Sequence, residues 1–283
     1  MKANLLNKVG IIGFGNMGSV IAYKLSAQSD EYEVWAFERD LAKTIKVKGI
    51  SFAKDITDLI LKVDTVILAV KPQDFEQVLK ELKNKVSGKL VISIAAGIST
   101  KHIEKALGNV RVIRVMPNIA AKIGESVTCL CKGSFTNDDD LEFAHEIFCY
   151  LGTARIIGES MMNAATAISG SGPGYIFYFI ENSAMDSNNI PEHARHDMMR
   201  RLEKAAEALD FNTEDAAFLA ANTVNASINL LRATRLTPEE LRTQVTSKGG
   251  TTEAGLEVLR KGGSWEEAAL AALKRAQELT KKE

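Results

Sequence analysis

Between residue 8 and about residue 157 the chain alternates short apolar runs with amphipathic stretches, a pattern that predicts β-α-β units on a parallel sheet. The runs fall at 9–12, 34–37, 66–70, 90–94, 110–115, 127–131 and 153–157. Most are rich in Val and Ile and apolar at successive positions, as strands covered by helices on both faces must be. Between them, Phe75, Val78, Leu79 and Leu82 recur at helical spacing within 75–85. Beyond about Gly158 the β-branched runs stop and an Ala-rich helical pattern continues to the end. There Ala217, Ala220, Val224, Ile228 and Leu231 step by three and four along one long helix, 213–231; small side chains in such a stripe permit close helix approach. Thr237, Pro238, Glu239 and Glu240 read as an N-cap, a first-turn proline and dipole-matching acids, and Ser264 with Glu267 as a capping box. Residues 186–201 carry few large apolar side chains and read as an exposed excursion.

Length reinforces the division seen in the pattern, because 283 residues lie near the limit of one hydrophobic core. With 46% hydrophobic and 25% charged residues, a globular core can form. The 35 basic and 36 acidic residues leave a formal net charge of -1, so no global field draws the chain to nucleic acid or an anionic membrane. Residues 1–8 lack the apolar stretch of a secretory signal, and no 18-residue apolar run occurs, which leads to the expectation of a cytoplasmic protein. Cys129, Cys131 and Cys149 have no CxxC spacing, so buried or strand cysteines without chemistry are expected, and no disulfide framework or zinc site. His193 and His196 share a helical spacing but sit in the polar segment with no third ligand, so no metal is expected there.

Candidate chemistry begins at Gly13-Phe14-Gly15-Asn16-Met17-Gly18, a G-x-G-x-x-G directly after the run 9–12 and at the start of a helical stretch. The first glycine serves a tight turn, the second lets backbone approach a pyrophosphate, and the third lets helix and strand pack closely. Free amides at the helix start then meet the phosphates. This is the fingerprint of a Rossmann dinucleotide-binding domain, expected over 1–158 in an α/β fold, with an all-α domain over 159–283. Glu38, 20 residues beyond Gly18, stands where such a domain reads the adenosine ribose. A 2′-phosphate there would meet like charge, at a cost on the order of a few kcal/mol at contact, so Glu38 leans toward NAD(H). Arg39 opposes this, because a guanidinium can pair with the phosphate while Glu38 swings away; a plain solvated strand end is the alternative for both. Ala69, Val70, Lys71, Pro72 and Gln73 close the run 66–70 at the carboxyl edge, and Ser93, Ala95, Ala96 and Gly97 close the next, where small residues leave room for a nicotinamide ring. Each is otherwise an ordinary turn.

Four stretches together carry a more specific likeness: Ala69-Val70-Lys71-Pro72, Val115-Met116-Pro117-Asn118, Ser169-Gly170-Ser171-Gly172-Pro173-Gly174-Tyr175 and Thr246-Ser247-Lys248-Gly249-Gly250-Thr251-Thr252-Glu253. In this order, over about 8–276, the sequence resembles the Δ1-pyrroline-5-carboxylate reductases. The resemblance implies hydride transfer from NADPH or NADH to the C=N bond of a carboxylate-bearing cyclic imine, giving L-proline. It implies a substrate carboxylate held on backbone amides from Gly249 through Gly250 and Thr251 to Thr252, a Thr252 hydroxyl at the ring nitrogen as the catalytic contact, and Glu159 and Ser171 on the substrate side. It further implies that the helical domain binds substrate and joins two chains in a homodimer, with a higher ring assembly as an extension. The small apolar face of 213–231 supports that on physical grounds, being too extensive to leave in water.

The sequence also departs from the family. Position 248 is lysine where proline is usual, Ile119-Ala120-Ala121 follow Asn118 where Thr-Pro-Ala is usual, and Glu38 is atypical. Residues 183–201 read as an insertion of roughly 18 residues. Two enzymatic rivals remain: a related cyclic-imine reductase and a hydroxyacid dehydrogenase of similar architecture. The second needs a lysine to move the alcohol proton, and no lysine occurs between Lys132 and Lys204, which favours C=N over C=O. A nucleotide-sensing protein without turnover is the non-enzymatic alternative.

Overall fold

The computed structural model describes residues 6–40, 42, 44, 47–183, 185–187 and 189–281; the first five residues of the N-terminal stretch therefore lie outside it. The chain divides into two compact units, Met1–Val115 with Leu130–Leu151, and Met116–Cys129 with Gly152–Glu283. This differs from a single border at 158, because residues 116–129 group with the later part of the chain.

In the first unit β1 (Asn7–Ile12), α1 (Asn16–Ser26), β2 (Tyr32–Phe37), β3 (Ile50–Phe52), α2 (Ile56–Ile60), β4 (Thr65–Leu68), α3 (Pro72–Leu82), β5 (Leu90–Ser93), α4 (Thr100–Leu107) and β6 (Arg111–Met116) follow one another. After them come β7 (Ser126–Lys132), α5 (Asp138–Cys149) and β8 (Gly152–Ile156), and the sheet order is β3-β2-β1-β4-β5-β6-β7-β8. The pairs β1 to β2, β1 to β4, β2 to β3, β4 to β5 and β5 to β6 are parallel. Strand order reverses between β1 and β4, which is where open α/β sheets bind ligands. All four residues of β4 and of β5 are buried, the mark of strands covered on both faces. Phe75, Val78, Leu79 and Leu82 of α3 pack into the core beside Ile56, Leu59 and Ile60 of α2. All seven predicted strands form. The eighth, β3, was not foreseen, since Ile50-Ser51-Phe52 is too short to show a period.

The second unit continues with α6 (Met162–Ala165), a π-helical turn (Thr166–Gly170), α7 (Gly172–Glu181), α8 (Glu192–Glu207), α9 (Thr213–Thr234), α10 (Pro238–Val245), α11 (Thr251–Arg260) and α12 (Trp265–Lys281). Both predicted caps form. Glu240 N donates to Thr237 Oγ1 at 3.2 Å while Thr237 N donates to Glu240 Oε2 at 2.8 Å, and Ser264 and Glu267 exchange the same pair of bonds.

Three expectations need correction. Residues 186–201 are not an exposed excursion: Ala194, Met198 and Leu202 recur every four residues on α8 and are buried, a stripe that five charged neighbours and two histidines obscured; residue 188 lies outside the described residues. Along α9, Ala220, Val224, Ile228 and Leu231 are buried within this single chain, so that stripe does not by itself call for a second one. Cys129 and Cys131 are buried in β7 as expected, but Cys149 is exposed at the end of α5. Among the described residues no helix is long and apolar enough to cross a membrane.

Candidate functional site

The fingerprint loop joins β1 to α1. Gly13 has φ +98, and a Cβ there would lie 2.8 Å from the Ala69 carbonyl oxygen. A Cβ on Gly18 would lie 2.0 Å from the Gly13 oxygen, so the third glycine lets α1 start hard against β1. At Gly15, by contrast, a Cβ would meet nothing within 4 Å. That open space beside the helix start is what the middle glycine must leave for a pyrophosphate. Gly15 is the N-cap of α1 and caps no amide with a side chain, which leaves the first-turn amides from Asn16 and Met17 onward facing outward as anion donors. The loop therefore fits a dinucleotide. Phe14 holds it down: its ring is buried and packs edge-on to Phe52 at 5.1 Å and Tyr23 at 6.0 Å.

Beside the loop lies a cleft of about 310 Å³ at the point where strand order reverses. Gly13, Gly15, Glu38, Arg39, Ala69, Val70, Lys71 and Gln73 line it, as the sequence predicted, together with Asp40 and Asp74, which the sequence reading did not single out. Their signal was positional, two residues after Glu38 and two residues after Pro72, the first residue of α3. Glu38 is fixed by two backbone donors, Phe14 N to Oε2 at 2.8 Å and Asp40 N to Oε1 at 3.0 Å. Arg39 pairs with α3, its Nη2 3.1 Å from Glu81 Oε1. Ala95, Ala96 and Gly97 form the turn after β5, with Gly97 at φ +79 and Ala95 N donating to Ser93 Oγ at 3.3 Å; they are not part of that cleft's wall.

The second unit gathers hydroxyls where α7 begins and α11 begins. Ser171 Oγ lies 3.0 Å from Thr251 Oγ1, and Thr252 Oγ1 donates to Ser171 Oγ at 3.3 Å. Ser171 and Thr252 are buried and Thr251 half-buried. The two helices touch through missing side chains: a Cβ on Gly174 would fall 2.5 Å from Thr252 Cγ2, and one on Gly255 would fall 2.6 Å from the Tyr175 ring. Tyr175 is fully buried, and its hydroxyl has no aligned partner. Burial pushes the phenol far above its ordinary ionisation range, and the nearby Ser171 hydroxyl offsets part of that rise.

Two of the four turn amides are already engaged. Gly249 N donates to Glu253 Oε2 at 2.6 Å and Gly250 N to Ser247 O at 2.9 Å. Thr251 and Thr252 open α11 after the N-cap Gly250, so their amides have no intrahelical acceptor. Arg275 Nε donates to Gly249 O at 2.6 Å and anchors the turn from α12. Glu159 sits on a 3-10 turn, Glu159–Met161, ahead of α6 and outside this trio of hydroxyls. Lys248 is exposed.

Ser171 is placed by a device that periodicity does not show. Its amide donates to Thr166 O at 2.8 Å, closing a π-type turn, a feature that recurs at functional sites. Pro173 has no N–H for the Ser169 carbonyl, and Asn118 Nδ2 donates to that oxygen instead, at 3.1 Å. Asn118 Oδ1 in turn accepts from Ala120 N and Val127 N.

Comparison with known proteins agrees with this layout. A family model described as "NADP oxidoreductase coenzyme F420-dependent" matches residues 8–97, and one described as "Pyrroline-5-carboxylate reductase dimerisation" matches 159–188 and 196–281. Residues 189–195 fall between the matched stretches, within the segment 183–201 that the sequence singles out. A pyrroline-5-carboxylate reductase of Methanosarcina acetivorans is 37% identical over 97% of this chain and 98% of its own. A solved pyrroline-5-carboxylate reductase of Coxiella burnetii is 32% identical with TM-score 0.64, covering 98% of this chain and 99% of its own. A Plasmodium falciparum pyrroline carboxylate reductase solved with NADP bound is 25% identical with TM-score 0.63, covering 97% and 98%. A fingerprint loop on a doubly wound sheet, a helical unit matched by the dimerisation model, and identity of this level over nearly the whole length place the chain in the pyrroline-5-carboxylate reductase family.

Proposed function

We propose that this chain reduces the C=N bond of 1-pyrroline-5-carboxylate to give L-proline, with the first unit holding the nicotinamide dinucleotide and the second the imine acid. The observation that carries the reading is the start of α11, where the amides of Thr251 and Thr252 and the hydroxyls of Ser171, Thr251 and Thr252 come together. Free amides at a helix start favour a carboxylate as they favour a phosphate. A reduced nicotinamide dinucleotide held by the first unit would supply the hydride and its two electrons, which the imine carbon would gain while the nitrogen keeps the proton of its iminium form. An iminium is already electrophilic, so the chain's task is orientation and one hydrogen bond at nitrogen, for which Thr252 is the candidate. Gly249 and Gly250 shape the turn, and Ser171 and Glu159 are the remaining substrate-side candidates.

For the dinucleotide, the candidates are Gly13 to Gly18, Glu38 with Arg39, the turn from Ala69 to Pro72, and Ala95 to Gly97. Glu38 favours NADH: Arg39 is engaged by Glu81, and Asp40 adds a second acid to the same wall. NADPH remains the second reading, supported by the NADP held by the Plasmodium relative. We further propose a homodimer through the helical unit, with a higher ring as its extension, in the cytoplasm. The primary test is oxidation of NADH or NADPH that depends on added 1-pyrroline-5-carboxylate and yields L-proline in equal amount; cofactor oxidation without proline, or none, overturns the reading.

A further inference from the structure

The geometry points to Thr251 as a specificity-determining residue, whose side-chain hydroxyl donates to the carboxylate of the bound imine acid at the end of an ordered hydroxyl chain. The inference rests on the reading that this carboxylate sits at the start of α11. It gives the Thr251 hydroxyl a direct partner on the ligand, in addition to the backbone amides at that helix start.

A hydroxyl has one proton to give and two lone pairs to receive. Thr252 gives its proton to Ser171. Ser171 then has one proton of its own, and Thr251 Oγ1 at 3.0 Å is its aligned acceptor, because the neighbouring Tyr175 hydroxyl makes no aligned hydrogen bond. The chain therefore runs from Thr252 through Ser171 to Thr251, and among the described residues no protein group takes the last proton. Thr251 is also the most exposed of the three, half-buried where Ser171 is at 0% and Thr252 at 5%. The open end is the one that reaches a ligand. Beside it stands the free amide of the same residue, so Thr251 offers two donors to one anion.

Polarity along the chain matches the substrate class. Thr252, having committed its proton inward, presents lone pairs, which suits the N–H of an iminium. Thr251, having accepted from Ser171, presents a proton, which suits a carboxylate. One buried serine thus sets an acceptor for the cationic end and a donor for the anionic end of the same small molecule. Ser171 is held to this task by the π turn behind it, by Pro173 after it, and by the close approach of α7 to α11 at Gly174 and Gly255.

The test compares two imines, 1-pyrroline-5-carboxylate and 1-pyrroline, which lacks the carboxylate. For the wild type, kcat/KM should strongly favour the acid. In Thr251→Val, which keeps shape and removes the hydroxyl, that preference should fall about tenfold, chiefly through KM for the acid, as for loss of a charge-assisted hydrogen bond. Thr251→Ser should recover it to within about threefold of wild type. A preference in Thr251→Val within twofold of wild type overturns the role of Thr251, and so does failure of Thr251→Ser to recover. A wild type that reduces both imines equally well overturns instead the placement of the carboxylate at α11, and a misfolded valine variant leaves the serine comparison and Thr251→Ala to decide.

Discussion

Asn118 and Ser169, 51 positions apart, are joined by a 3.1 Å hydrogen bond from a side-chain amide to a backbone oxygen that Pro173 leaves without a helical donor. The same Asn118 satisfies the amides of Ala120 and Val127, so one buried side chain serves three backbone groups. Asn118→Ala should lower stability by about 2–3 kcal/mol, the cost of leaving buried groups unpaired, read from urea unfolding at constant m. A loss below about 0.5 kcal/mol would show that water replaces these bonds freely.

The contact of Tyr175 with Gly255 makes two opposite expectations. Gly255→Ala forces a methyl to within 2.6 Å of the ring and should cost about 1–3 kcal/mol by overpacking. Tyr175→Phe removes a buried hydroxyl with no aligned partner and should leave stability equal or higher. Thermal unfolding of both variants decides; a clearly destabilised phenylalanine variant means the hydroxyl is bonded.

Glu38→Ser removes a carboxylate that the Phe14 and Asp40 amides hold at the cleft. It should raise the NADPH to NADH ratio of kcat/KM about tenfold, as expected for relief of like-charge contact with a 2′-phosphate. An unaltered ratio means Glu38 does not face the ribose.

On α9, Val224 is fully buried within the chain while Ala217 and Ala221 are half-buried along an open groove with Met199, Arg200 and Glu203 of α8. Ala217→Arg and Ala221→Arg should reduce the oligomer size seen by gel filtration with the helix content kept. Val224→Glu should instead unfold the unit, since an unpaired charge cannot stay buried there. Unchanged size for both arginine variants would move the interface elsewhere.

The thiols should separate by exposure. Burial pushes Cys129 up to about 12, so a thiol reagent at neutral pH should label Cys149 first and reach all three cysteines in denaturant. Because the folded thiol ionises later than the unfolded one at 9.0, its contribution to stability is complete below pH 9 and is lost as pH rises toward 12. Tyr32, raised by burial from 10.0 to about 12, acts in the same direction. Denaturation midpoints that stay flat from pH 9 to 11 would contradict this.

The sequence alone determined the elements whose causes are local: the strand runs, the fingerprint loop, and the caps at Thr237 and Ser264, each settled by residues within a few positions of one another. It also determined, through four motifs in order, the family and hence the reaction to look for. Tertiary structure decided which polar groups meet. That Ser171 bonds Thr251 across 80 positions, that Pro173 leaves a carbonyl for Asn118, and that the stripe on α9 from Ala220 to Leu231 is consumed inside one chain depend on which helix faces which. Spacing reveals that a helix has an apolar face but not what covers it, and a hydroxyl's role follows from where its single proton goes, which neighbours brought together by folding decide.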